Sequence, residues 1–163
     1  MFANRVAVRC FSFGNQTDPL SESNAEMLET ILVVDDTETV LKTVVAILRA
    51  SRFHVLQATN GSSAIKLATA YDGKIDLLLS DVKMPEMSGP ELGEALMKSR
   101  PDLHVMFMSG YSGGDLLVLN YGWAFIEKPF VATRLVEMVK NVLHTPDKSQ
   151  GNRQFDTRKA PDK

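Results

Sequence analysis

The chain has a single cysteine, no long apolar run and almost no net charge. Cys10 alone excludes an intramolecular disulfide framework and is compatible with a reducing cytosol. No apolar stretch approaches the roughly 20 residues that a membrane-spanning helix needs, so we expect no membrane segment. The formal net charge of −2 gives no electrostatic reason to expect a nucleic-acid partner. Together these features favour a cytoplasmic protein.

The length and composition fit one globular domain with flanking segments. With 163 residues, 44% of them hydrophobic and 23% charged, the chain is long enough for one core but not for two. Residues 1–28 show no sustained period, and Arg5 and Arg9 precede the first acid, so we interpret this segment as a leader or linker. Residues 145–163 are polar and are predicted to be disordered.

Apolar runs alternate with stretches of helical spacing in residues 29–144, the predicted folded domain. Runs rich in β-branched and other apolar residues predict strands at 31–34, 53–58, 75–80, 103–110 and 123–129. Helical spacing predicts helices at 38–50, from 61, at 88–100, briefly near 115–120, and at 132–143. Such alternation predicts a parallel sheet with helices on both faces.

Polar side chains stand at the carboxyl ends of four predicted strands. Asp35 and Asp36 follow the first strand, Asp81 the third, Ser109 the fourth and Lys128 the fifth. Because ligands of parallel sheets bind outside these strand ends, we expect the five side chains to meet in one pocket.

Three carboxylates in one pocket require a compensating charge. At an effective dielectric near 20, two unit charges about 4 Å apart repel by about 4 kcal/mol, so a cation or a retained proton is needed. Carboxylate oxygens and water are the ligands that Mg²⁺ prefers. One carboxylate could then attack phosphorus, with Lys128 adding positive charge and Ser109 donating to a phosphoryl oxygen.

The motifs, taken in this order, resemble the receiver domain of two-component response regulators. The resemblance covers roughly residues 30–144 and depends on DD after the first strand, MPEMSG after Asp81, SG after the fourth strand and KPF after the fifth. It implies a flavodoxin-like, doubly wound five-stranded parallel sheet in the order 2-1-3-4-5 with five helices. Few residues separate Ser109 from Lys128, so we expect a short fourth helix. The SGYS sequence resembles receivers of hybrid histidine kinases.

The resemblance also implies a metal site and an acceptor. Asp81 would be the phospho-acceptor, and Mg²⁺ would be held by Asp35, Asp36, Asp81 and the backbone carbonyl of Lys83. A simpler alternative is that Asp35 or Asp36 caps the first helix.

Three further roles follow from the resemblance, each with a structural alternative. Ser109 and Lys128 would bind the phosphoryl group, but Ser109 could be a turn residue and Lys128 a surface lysine. Phe125 would turn inward as a switch when the serine moves, but it is expected in the core in either case. The Lys128–Pro129 peptide is expected to be cis.

The predicted function is that of a phospho-acceptor module. It would take a phosphoryl group from a phosphohistidine on a sensor histidine kinase or histidine phosphotransfer protein, lose it to water, and change a surface that a downstream protein or a second copy of the chain binds. One alternative is a receiver-like binding module that is never phosphorylated. Another is a Mg²⁺-dependent phosphatase of the haloacid-dehalogenase type, which needs an acid two residues after a nucleophile on the first strand, where Asp35 is followed by Thr37.

Overall fold

A computed structural model describes residues 28–110 and 123–144. These residues form five strands and four helices, in the order β1 (Thr30–Val34), α1 (Glu38–Ala50), β2 (His54–Ala58), α2 (Gly61–Ala70), β3 (Leu77–Asp81), α3 (Gly89–Ser99), β4 (His104–Ser109), β5 (Ala124–Glu127) and α4 (Ala132–His144). Residues 1–27 of the predicted leader, the predicted short helix near 115–120 and the tail at 145–163 lie outside the described residues. The helix labelled α4 is therefore the one predicted as the fifth.

The strands form one parallel sheet in the order β2-β1-β3-β4-β5. This order confirms the predicted flavodoxin-like, doubly wound fold. Every strand differs from its predicted range by one or two residues at one end or both, and two of these differences concern Asp81 and Pro129. The third strand continues to Asp81, which pairs with Met108 of β4, so the acid belongs to the ladder. The fifth strand ends at Glu127, two residues before Pro129, which has no N–H to donate to a neighbouring strand.

Both faces of the sheet are covered, and this explains why β1 is buried along its whole length. Alternate side chains of a strand point to opposite faces. Ile31 and Val33 pack with α1 and α4, while Leu32 and Val34 pack with α2 and α3. No helix in the described parts of the chain combines the length and the apolar character that crossing a bilayer requires.

The start of α3 is fixed by a capping box, at the residue where the sequence predicts that the helix begins. The Ser88 hydroxyl accepts a hydrogen bond from the Glu91 N–H at 3.4 Å, and the Glu91 carboxylate accepts one from the Ser88 N–H at 2.8 Å. Pro90 occupies the first turn, where its missing N–H costs nothing. The loop that leaves Asp81 therefore ends at a defined residue.

Arg100 joins the end of α3 to the end of α2. Its guanidinium donates hydrogen bonds to the main-chain carbonyls of Ala68 (2.7 Å), Tyr71 (2.6 Å) and Gly73 (2.9 Å). These carbonyls lie at or just beyond the C-terminus of α2, where a helix leaves acceptors unpaired and favours positive charge. The sequence predicts only that α3 ends here.

We expect Arg100→Met to destabilise the fold by about 2 kcal/mol, because three carbonyls lose a charged donor while most of the apolar stem is kept. Urea denaturation of both variants measures the change. Arg134→Met is the matched control, since its ion pair with Glu137 is exposed and contributes less than about 1 kcal/mol. Equal free energies of unfolding for the two variants would contradict the role assigned to Arg100.

Candidate functional site

The carboxyl ends of the strands bring the predicted site residues to one edge of the sheet. Asp81 and Ser109 are the last residues of the neighbouring strands β3 and β4, and Asp35 directly follows β1. Lys128 directly follows β5, and its N–H donates to the Ser109 carbonyl at 2.6 Å. The sheet order places Asp81 between the strands that carry Asp35 and Ser109.

The Lys128 ammonium lies between two carboxylates. Its Nζ is 2.7 Å from Oδ2 of Asp35 and 2.7 Å from Oδ1 of Asp81. The Asp35 side chain is fully buried, while those of Asp81 and Lys128 are 14% and 21% exposed. Lys128 is therefore not an ordinary surface lysine, and Asp81 is the carboxylate of the pair that solvent reaches.

Burial and charge act in opposite directions on this cluster. Burial raises the pKa of Asp81, and this effect, together with repulsion from Asp35, outweighs the lowering by the hydrogen bond and charge of Lys128. Burial lowers the pKa of Lys128, but its hydrogen bonds to Asp35 and Asp81 outweigh burial, so the pKa lies above the ordinary value. The lysine is thus cationic at neutral pH, and one cation does not fully compensate the carboxylates.

Each carboxylate also accepts a backbone hydrogen bond. Oδ1 of Asp35 accepts from the Thr37 N–H at 2.9 Å, beside the start of α1. Oδ2 of Asp81 accepts from the Lys83 N–H at 3.1 Å. Thr37 is the N-cap of α1 and makes no side-chain cap bond. Asp35 therefore contacts the segment before α1 and Lys128 with different oxygens, and neither Asp35 nor Asp36 is the N-cap that the alternative interpretation expected.

The other predicted residues occupy different positions around the pair. Asp36 is exposed beside Asp35. Ser109 is only 5% exposed at the end of β4. Phe125 is half-buried, stands opposite Phe107 in the β4–β5 ladder, and packs on the α2–α3 side of the sheet. The structure thus brings Asp35, Asp81 and Lys128 into direct contact and places Asp36 and Ser109 next to them in the chain or in the sheet.

The carboxylates of this cluster are ligands of the kind that Mg²⁺ requires. Among residues 28–110 and 123–144, no three His, Cys, Asp or Glu side chains lie close enough together to hold a metal ion. Mg²⁺ needs fewer, because proteins often bind it through one or two carboxylates while water completes the octahedron. Asp35 and Asp81 supply two, and their mutual repulsion favours a bound cation. The residues present therefore fit the ion.

The loop after Asp81 folds back onto the strand that carries it. The Val82 N–H donates to the Met108 carbonyl at 3.1 Å, and the Gly89 N–H donates to the Val82 carbonyl at 3.0 Å. Within the loop, Glu86 has a positive φ of 67°. The sequence does not reveal that this loop closes on β3. The Lys128–Pro129 peptide on the other side of the site is cis, as predicted.

An open cleft of about 530 Å³ lies beside the Lys128 side chain. Its walls come from the first half of α1 and from the segment after β5, and the lining residues are Thr39, Val40, Thr43, Val44, Gly110, Lys128, Pro129 and Phe130. The lining is largely apolar. The site can therefore be approached from the side of α1.

The described histidines lie away from this cluster. His54 and His104 are the first residues of β2 and β4, at the opposite edge of the sheet. His144 ends α4 and lies 3.1 Å from Glu29, which precedes β1. None of the three contacts Asp35, Asp81 or Lys128 through a described hydrogen bond.

Comparisons with known proteins agree with this fold. A family model described as the response regulator receiver domain matches residues 31–140. The response regulator receiver protein CpdR of Brucella abortus is 33% identical over 122 residues, which cover 71% of the chain and 98% of CpdR. The sensor kinase CckA of the same organism is 34% identical over 121 residues, covering 72% of the chain but only 13% of the kinase. The chain therefore corresponds to a small part of that relative.

A solved structure of a response regulator has the same fold. The response regulator protein TrrA of Thermotoga maritima, crystallised in complex with Mg²⁺ and beryllofluoride, superposes with a TM-score of 0.63 at 27% identity. The superposition covers 71% of the chain and all of TrrA. The architecture of the described residues is thus that of a complete, independently solved protein.

We expect Asp81→Asn to melt at a higher temperature than the wild type at pH 7 with EDTA present. Because the native pKa of Asp81 lies above its unfolded value, its ionisation disfavours the native state above the native pKa, and this cost vanishes below about pH 4. The difference in Tm should therefore shrink as the pH falls. Asp36→Asn, at an exposed position, should show no comparable change. A lower Tm for Asp81→Asn at pH 7 would contradict the charge imbalance.

Proposed function

The chain belongs to the response regulator receiver domain family. We propose that it is the phospho-acceptor module of a two-component phosphorelay, with Asp81 as the acceptor. The observation that carries the proposal is the Lys128 ammonium held 2.7 Å from both Asp35 and Asp81 at the carboxyl edge of the sheet. Residues 29–144 would form the receiver, with segments of undetermined role on either side.

Asp81 is the better nucleophile of the two paired carboxylates because it is the accessible one. Asp35 is fully buried, whereas the Asp81 side chain retains 14% exposure. In the proposed reaction an Asp81 carboxylate oxygen attacks phosphorus, the P–N bond of a phosphohistidine breaks, and the histidine nitrogen keeps the electron pair. Water later attacks phosphorus, releases inorganic phosphate and restores the carboxylate.

Asp35, Asp81 and Asp36, with the Lys83 carbonyl, would hold Mg²⁺. When bound, the ion would neutralise negative charge that gathers on the phosphoryl oxygens. Lys128 supplies a second positive charge, already oriented by two carboxylates before any phosphoryl group arrives. Pre-oriented charge lowers the barrier because little reorganisation is needed during the reaction.

Ser109 and Phe125 would transmit the change. Ser109 ends the strand next to Asp81, within the same edge of the sheet, and its hydroxyl would bind a phosphoryl oxygen. Phe125 is two strands from Asp81, and because it is half-buried, part of its side chain would still be available to move inward. Phosphorylation would then bias a two-state surface element through local charge.

The donor would be a sensor histidine kinase or a histidine phosphotransfer protein. Receiver domains are the partners of such proteins, and the kinase CckA contains a region similar to this chain. The apolar cleft beside Lys128 offers room for the donor's helix next to the proposed acceptor. The downstream partner would bind the surface that changes on phosphorylation.

The phosphatase alternative is disfavoured by burial. That chemistry needs a nucleophile on the first strand, yet Asp35 has no exposed side-chain surface and is bound by Lys128 and the Thr37 N–H. The unphosphorylated binding module lacks a specific observation in its favour, since paired Asp35, Asp81 and Lys128 side chains have no evident use in simple binding.

With acetyl phosphate and Mg²⁺, we expect intact-mass measurement to show the gain of one phosphoryl group on the wild type and none on Asp81→Asn, because the amide is not a nucleophile toward phosphorus. Glu137→Gln is the control, since it removes an exposed acid of α4 that has no part in the proposed site, so this variant should still gain the group. Persistence of the mass gain in Asp81→Asn would show that another residue is the acceptor. The phosphatase would be favoured if the protein hydrolysed a phosphomonoester and if Asp35→Ala, but not Asp81→Ala, abolished this activity.

Beryllofluoride should raise the Tm only when Mg²⁺ is also present. A ligand that binds only the native state stabilises it by about 2.7 kcal/mol at a hundredfold excess over its Kd, which corresponds to a shift of several degrees. Thermal melts with each component alone provide the controls. An unchanged Tm with both components present would count against a phosphoryl and Mg²⁺ site.

A further inference from the structure

Gly89, the first residue of α3, packs directly against the backbone of Asp81. A Cβ atom built on Gly89 would lie well under 3.0 Å from the Asp81 carbonyl oxygen, a separation that real Cβ atoms do not show. On its other side the same atom would be 3.1 Å from two carbons of the Phe107 ring. Since Phe107 is fully buried, it has little space to move away. Any side chain at residue 89 would be caught between the acceptor strand and the core.

Backbone conformation does not explain the glycine. The φ of Gly89 lies outside the left-handed region, so an L-residue could adopt it. Residue 89 is helical, and alanine is more favourable than glycine in a helix. Helix propensity alone would therefore favour alanine here. Space, and not φ, is what requires a residue without a side chain.

Because Gly89 lies so close to the Asp81 backbone, the loop between them can place a backbone N–H beside the Asp81 carboxylate. The Gly89 N–H donates to the Val82 carbonyl at 3.0 Å, which closes the loop between β3 and α3. Within this closed loop, the Lys83 N–H donates to Oδ2 of Asp81 at 3.1 Å. The Ser88 capping box holds the start of α3 in place. A side chain at residue 89 would therefore displace the Asp81 backbone, and with it the Lys83 N–H that donates to Asp81.

We propose that Gly89 is a positioning residue for phosphoryl transfer: its missing side chain lets α3 begin against the Asp81 carbonyl, so that the Lys83 amide and the Lys128 ammonium hold the two carboxylate oxygens. This inference rests on the proposed function for its effect on rate. Its structural part concerns one amide hydrogen bond and is measurable without phosphoryl transfer.

The first test compares alanine substitutions at two glycines of α3. The maximal rate of phosphoryl uptake, measured by intact mass with saturating acetyl phosphate and Mg²⁺, should fall about tenfold or more in Gly89→Ala, because small misplacements of reacting groups cost that much. Gly93→Ala is the control in the same helix, since its Cβ would lie an ordinary 3.4 Å from Val105. This control should keep a rate within about twofold of the wild type.

A second readout distinguishes positioning from general loss of stability. The second measurement uses ¹H–¹⁵N spectra recorded without Mg²⁺ or phosphodonor. In Gly89→Ala the Lys83 amide proton should exchange with solvent faster than in the wild type, and its chemical shift should move to that of an amide without a hydrogen bond. The amides of β1 and β2 should keep their exchange rates and chemical shifts. A merely destabilised fold would change protection throughout the sheet. An unchanged Lys83 amide in Gly89→Ala would overturn the proposal.

A rescue variant keeps the test decisive if Gly89→Ala folds poorly. Phe107→Leu removes ring atoms from the other side of residue 89, so Gly89→Ala/Phe107→Leu should transfer phosphoryl at a rate within about twofold of Phe107→Leu alone. A double variant that is unfolded, or as slow as Gly89→Ala, would overturn the steric account. If the wild type gains no phosphoryl group, the proposed function fails, and the Lys83 amide still decides whether Gly89 positions the loop.

Discussion

A single ammonium group shared by two carboxylates determines how this edge of the sheet is built. Lys128 reaches Asp35 and Asp81 from the far side of β4, so the pair connects the segments after β1, β3 and β5. Removing either acid would leave a largely buried lysine with one partner, and removing the lysine would leave two acids facing each other. The same side chains that would perform chemistry therefore also carry the charge imbalance that the fold tolerates at this edge.

The parallel topology brings these residues together without any dedicated connecting segment. Four of the five strands contribute their last residue or the one after it to the site at this edge, so acids separated by 46 positions meet without any special loop between them. The helices cover both faces and leave this edge open. Because the core excludes water from one side of the carboxylates, the Lys128 interaction is stronger than at a surface.

Much of the fold and part of the site were predictable from the sequence. Strand ends are marked by abrupt changes from apolar to charged residues, so Asp35, Asp81 and Lys128 could be placed together before any coordinates. Asp36 carries the same signal as Asp35, yet it is exposed, because adjacent residues point in different directions once the strand has ended. A sequence pattern does not distinguish between the two.

Other features could not be predicted because they depend on distances between separate elements. Gly89 resembles any glycine of a turn, and only the packing of α3 against β3 shows why a side chain is excluded there. Arg100 resembles any helix-terminal arginine, and its three carbonyl partners lie about 30 positions earlier in the chain. Such contacts arise after the elements pack, whereas periodicity reports only which face of each element is apolar.

The edge-on contact between Phe107 and Trp123 has a practical consequence. The two ring centroids are 5.3 Å apart with the planes inclined at 60°, and Trp123 is the sole indole of the chain. Phe107 also lines the narrow space at Gly89. Emission excited at wavelengths that tyrosine does not absorb therefore originates from one indole, a single buried ring away from the loop that follows Asp81. The molecule carries its own optical probe of that loop, and no extrinsic dye has to be attached.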